Sequence, residues 1–115
     1  MIKLDGPIVC FDVDDTLIYW DDDKVPKDVY SSISFKFRGR DLKRSIISKH
    51  VNELRLQKES GSTIIVWSKS GVEWAKTIIQ AIGLEDYVDL VMPKPDRIYD
   101  DKDPSEWMPK RRYFS

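Results

Sequence analysis

"IVCFDVDDTLIYW", residues 8–20, sets three carboxylates, Asp12, Asp14 and Asp15, within four residues at the end of an apolar run. Like charges that close repel one another. The apolar run follows Gly6 and Pro7 and does not alternate with polar residues, which predicts a strand over 7–12 buried on both faces. Such a strand belongs to a parallel sheet covered by helices, so the rest of the chain should alternate strands with helices.

It does so in outline. Ile33, Phe35 and Phe37 alternate with polar neighbours, a hairpin-like signal beyond the acidic tip "DDDKVP". Leu42, Ile46, Val51 and Leu54 recur at helical spacing after Asp41, a plausible N-cap, and predict a helix over 42–58 that stops at Gly61. "STIIVWS" predicts a second buried strand over 63–67. "SKSGVEWAKTIIQAIG" predicts a second helix with Val72, Ala75, Ile79 and Ile82 inward and Gly83 as its stop. "YVDLVM" reads as a third strand and "RIYDD", with Ile98 and Tyr99, as a fourth. The tail "DPSEWMPKRRYFS", with Trp107, Met108 and Phe114, reads as a segment packed on the body.

The 115 residues suffice for one domain with one modest core, taken here as 1–115. Apolar residues make up 41%, charged residues 34%, and the net charge is −1, so bulk electrostatics give no reason to expect nucleic acid or a membrane. The N-terminal residues show no leader-like apolar core, and no apolar run approaches the roughly 20 residues that span a bilayer. Cys10, the one cysteine, lies in the first strand and is read as packing in a reducing, cytoplasmic setting.

In an open parallel sheet functional groups gather beyond the carboxyl ends of the strands. Strand one ends in Asp12, Asp14 and Thr16, strand two in Ser68; Lys94 follows strand three, and Asp100 and Asp101 end the expected fourth. Four carboxylates around one point make sense with a bound cation. Mg²⁺ takes oxygen ligands, commonly one or two carboxylates completed by water and substrate phosphate. Asp12, Asp14 by side chain or main-chain carbonyl, and the Asp100/Asp101 pair are the expected donors. Ser68 and Lys94 would face the phosphate, beside free N–H groups at the start of the helix after Ser68.

"FDVDDT" resembles the first motif of the haloacid dehalogenase (HAD) superfamily, hhhDxDxT. "IIVWS" resembles its second, "KP" its third and "IYDD" its fourth, in the family's order over residues 8–101. The resemblance implies a HAD-like, Rossmann-like parallel sheet flanked by helices, with a hairpin flap over about 17–40 and no cap domain. It also implies a Mg²⁺-dependent phosphomonoester hydrolase working through an aspartyl-phosphate: Asp12 the nucleophile, Asp14 the general acid and base, Ser68 and Lys94 the stabilisers of the transferring group, Thr16 the support of the turn and of the phosphate. A capless site suits a phosphate on a bulky or polymeric substrate, a nucleic-acid end or a phosphoprotein, as well as on a small molecule.

Two other classes compete. A HAD-fold binding module would have lost a catalytic residue type, and all are present. A receiver-like phosphoacceptor domain would carry an Asp at the end of a later strand, where this chain has Ser68. The basic run Lys36, Arg38, Arg40, Lys43, Arg44, Lys49 reads first as a solvated helix face and hairpin edge. His50 stands alone in its helix and reads as structural, and Asp21–Asp23 as a loop turn. Trp67 and Trp74 read as packing residues, whereas Trp20, in the flap, is the tryptophan suited to substrate contact.

Overall fold

The computed structural model describes residues 6–29 and 31–108. Its elements are β1 (Ile8–Asp12), β2 (Ser32–Phe37), β3 (Arg40–Ser45), α1 (Ser48–Glu59), β4 (Thr63–Ser68), α2 (Val72–Ile82), β5 (Leu90–Pro93) and α3 (Pro104–Trp107), with single 3₁₀ turns at Asp22–Lys24 and Glu85–Tyr87. Two apolar runs, "IVCF" and "TIIVW", pair as parallel neighbours, and β5 adds to the far side of β4, giving a three-stranded parallel sheet in the order β1-β4-β5. β4 is central, and its Ile64 and Val66 are wholly buried. The α/β class and the parallel sheet flanked by helices follow the sequence reading.

The core lies between this sheet and its helices. Val51 and Leu54 of α1, and Ala75, Ile78 and Ile79 of α2, close over Phe11, Val13, Leu17, Ile18, Ile64 and Val66. Each large aliphatic side chain buried in this way contributes about 1.5–3 kcal/mol. α2 ends at Gly83, whose φ of 84° lets its N–H reach back to the Ile79 and Gln80 carbonyls. Val72 and Ile82 are half-buried, so the inward face of α2 is centred on Trp74, Ala75, Ile78 and Ile79 rather than spread to both ends.

Other expectations are corrected. The helix expected over 42–58 begins only at Ser48, because 40–45 are claimed by β3, which pairs antiparallel with β2 from Phe37↔Arg40 to Ser32↔Ser45. Asp41 is accordingly a strand residue opposite Lys36, not a cap. The turn is the dipeptide Arg38-Gly39, both at positive φ (49° and 77°), as a two-residue hairpin of the I′ kind requires. The fourth strand does not form. Residues 94–103 have no regular structure, Pro95 cannot donate to a ladder, and Ile98 and Tyr99 are exposed.

The third strand is shorter than "YVDLVM", since Glu85–Tyr87 coil into a 3₁₀ turn before β5. The tail carries α3, capped by Asp103 through the Ser105 N–H, but Trp107 is exposed rather than packed on the body. Phe114 lies outside the described residues.

Candidate functional site

The parallel registers fix where the polar residues stand. Asp12 is opposite Trp67 and Ser68 opposite Pro93, so Asp12, Ser68 and Lys94 occupy the carboxyl ends of three adjacent strands. Lys94 sends its Nζ to 3.9 Å from Asp12 Oδ1. Its main-chain N–H donates to the Ser68 carbonyl (3.1 Å), which also receives the Gly71 N–H (3.2 Å). Ser68 is buried, and its Oγ accepts the Ser70 N–H (3.0 Å), which turns the chain from β4 toward α2.

Burial pushes the Asp12 carboxyl above the usual carboxylate range. Lys94 and a main-chain hydrogen bond from Val13 pull it down, while the charges of Asp14 and Asp15 push it up again. Asp12 is thus a carboxylate left short of positive charge.

After Asp12 the chain folds into a tight loop. The Val13 carbonyl collects the N–H groups of Thr16 (3.2 Å), Leu17 (2.9 Å) and Ile18 (3.2 Å). Asp15 takes a φ of 61°, a conformation that Asp tolerates better than most residues. Its carboxylate accepts the Trp20 N–H (3.0 Å) and Lys24 Nζ (3.2 Å), and the first of these bonds chiefly holds its pKa below the usual range. The Thr16 carbonyl accepts Nδ1–H of His50 at 2.6 Å. His50 is buried and joins α1 to this loop.

Asp14 points to α2. Its Oδ1 accepts Nε1–H of Trp74 and its Oδ2 accepts the Ser70 hydroxyl, both at 2.9 Å. Neither partner stood out in the sequence as a functional residue. Trp74 looked like a packing residue and is one, being only 4% exposed, yet its one polar atom is turned to the loop after β1. Ser70 carried one signal, its place two residues after the last residue of a buried strand, where a crevice should open.

The hairpin lies on α2 over the same tryptophan. Phe35, Phe37 and Trp20 meet the Trp74 ring edge-on, with centroids 5.5, 5.0 and 5.7 Å away. Arg44 spreads over both Trp20 (5.6 Å) and Trp74 (5.8 Å), a cation–π arrangement. The basic run therefore belongs mainly to the hairpin: Lys36 faces Asp41 at 3.8 Å and Arg38 bonds Glu73 of α2 at 3.4 Å, both on the exposed surface.

Asp100 and Asp101 stand in the exposed segment after β5. Among the described residues no group of three or more His, Cys, Asp or Glu side chains is arranged to hold a metal ion. The donors that fit a hard cation are Asp12, short of positive charge, and the neighbouring main chain of Asp14, whose carboxylate oxygens both already accept hydrogen bonds. Two protein ligands meet the usual demand of Mg²⁺ when water and phosphate oxygens complete its shell. Cys10 is a free, half-buried thiol whose pKa burial pushes up, which disfavours its thiolate. No described helix is long and apolar enough to cross a membrane.

Comparisons with protein-family models, with curated proteins and with solved structures find no match for this chain.

Proposed function

We propose that this protein is a phosphomonoester hydrolase of the HAD type, using Asp12 as nucleophile at the carboxyl end of its parallel sheet. One observation carries the reading: Asp12, Ser68 and Lys94 come from the ends of three adjacent parallel strands, with the Lys94 ammonium 3.9 Å from the Asp12 carboxylate and Asp14 two residues beyond. In the first step an Asp12 oxygen bonds to phosphorus, the bond to the leaving oxygen breaks, and Asp14 gives that oxygen its proton. In the second, water attacks phosphorus, Asp14 takes its proton, and the phosphorus–Asp12 bond breaks to release phosphate.

Lys94 neutralises oxygens of the transferring group, and the Ser68 hydroxyl supports them. Thr16 holds the loop that carries Asp14. Mg²⁺, which Asp12 and the Asp14 main chain would hold, would supply charge neutralisation at the phosphoryl oxygens. The segment between Ser68 and Lys94 holds α2, one 3₁₀ turn and β5, and the hairpin lies against α2. The crevice is then open to a phosphate on a bulky or polymeric substrate, in a reducing cytoplasmic setting consistent with the single thiol.

The second reading, a phosphate-binding module without turnover, draws support from the exposed position of Asp100 and Asp101. Hydrolysis of p-nitrophenyl phosphate with Mg²⁺, with EDTA and by the Asp12→Asn variant separates the two. Metal-dependent release of nitrophenolate, absent in the variant, is expected. No turnover, with Mg²⁺ or phosphate still raising the melting temperature, would favour the binding module.

A further inference from the structure

We propose that Trp74 and Ser70 are positioning residues for Asp14, and that the β2–β3 hairpin sets the aim of this carboxylate through Trp74. The inference rests on the hydrolase reading and adds a device to it.

A carboxylate on a loop ordinarily rotates about two side-chain bonds. Asp14 is held by one donor on each oxygen, and both donors lie beyond β4: Ser70 in the turn and Trp74 in the first turn of α2. An indole N–H can only donate, so its partner oxygen stays fixed as an acceptor. A hydroxyl both donates and accepts, so Ser70 can remain bonded when Oδ2 exchanges a proton with the leaving group or with water.

The indole cannot swing away, because Phe35 and Phe37 of the hairpin and Trp20 of the preceding loop hold its ring edge-on. Ordering an acid through a second residue of this kind acts on the step in which the proton is delivered. The hairpin thereby does more than cover α2. It fixes the direction in which Asp14 faces its substrate.

Leaving-group dependence tests this. The wild type, Trp74→Phe, Ser70→Ala and Ser70→Thr are compared on p-nitrophenyl phosphate, whose leaving group needs little protonation, and on phenyl phosphate, whose leaving group needs more. A misaimed acid lowers kcat/KM, which reads the reaction only through departure of the leaving group, by about tenfold or more on phenyl phosphate while the nitrophenyl ester loses about threefold or less. Ser70→Thr, which keeps the hydroxyl, should restore most of the loss seen in Ser70→Ala. Phe37→Leu, which loosens one wall of the indole, should move the ratio of the two rates in the same direction.

Equal losses of kcat/KM on both esters would mean that the residues act through the fold, and unchanged kcat/KM values would mean that the contacts do not aim the acid; either overturns the proposal while leaving the hydrolase reading standing. No turnover of either ester by the wild type would overturn the hydrolase reading, and this inference with it.

Discussion

Asp12 is disfavoured as a charge by its burial and by Asp14 and Asp15, and only partly compensated by Lys94. An acid whose folded pKa lies above its unfolded value costs stability at neutral pH, and the cost disappears as pH falls below both values. Asp12→Asn removes the charge at almost constant shape. It should abolish turnover while leaving the melting temperature at pH 7 equal to or above that of the wild type, measured without metal. A clearly lower melting temperature would show that the Lys94 contact outweighs the burial and repulsion. The position of Asp12 was legible in the sequence because the apolar run ends there, although β1 is an edge strand with Ile8 exposed and Phe11 its one buried residue, not the strand buried on both faces that the run predicted. The partners of Asp14 were not, since Ser70 and Trp74 are separated from it by 56 and 60 residues and no local pattern links them.

At the scale of elements, the hairpin turn is the most exacting local feature. Gly39 sits at a φ of 77°, where a Cβ costs roughly 1–2 kcal/mol even though nothing lies within 4 Å of the added atom. Gly39→Ala should therefore lower stability by about that amount in urea unfolding, and an unchanged midpoint would argue against the I′ turn. Arg38-Gly39 also explains why the first helix was misjudged. Leu42 and Ile46 are four residues apart, a spacing that keeps them on one face of a helix and equally on one face of a strand. Pairing with Ile33, Phe35 and Phe37 across the two-residue turn decided between the two. By contrast β4 and α2 were legible nearly to the residue, because an unbroken apolar run and a Gly-terminated amphipathic run each admit one period. The fourth strand failed for the opposite reason: two apolar residues beside Pro95 have neither a face to bury nor a ladder to join.

For the whole molecule, a carboxylate outside the site ties the central sheet to α1. Asp89, just before β5, accepts Lys58 Nζ of α1 at 2.7 Å through Oδ1 and the Ile64 N–H of β4 at 2.8 Å through Oδ2. Its own N–H donates to the Ile64 carbonyl at 2.9 Å, so α1, β4 and β5 meet at one residue. Burial pushes its pKa up, but the Lys58 and Ile64 hydrogen bonds and the Lys58 charge together hold it below the usual carboxylate range. Asp89→Ala leaves a half-buried ammonium and a strand N–H without this partner, at a cost of about 1–3 kcal/mol. Because the folded pKa is depressed, the contribution is fully present above the unfolded value of about 3.9 and is lost as pH falls through the lower folded value. The stability gap between wild type and Asp89→Ala should hence be constant from pH 7 to about pH 5 and narrow steadily below about pH 4. Thermal unfolding of the two proteins across that range reads it directly. A gap that stays the same down to pH 2 would mean that the charge on Asp89 contributes nothing, and that the three elements are joined there by packing alone.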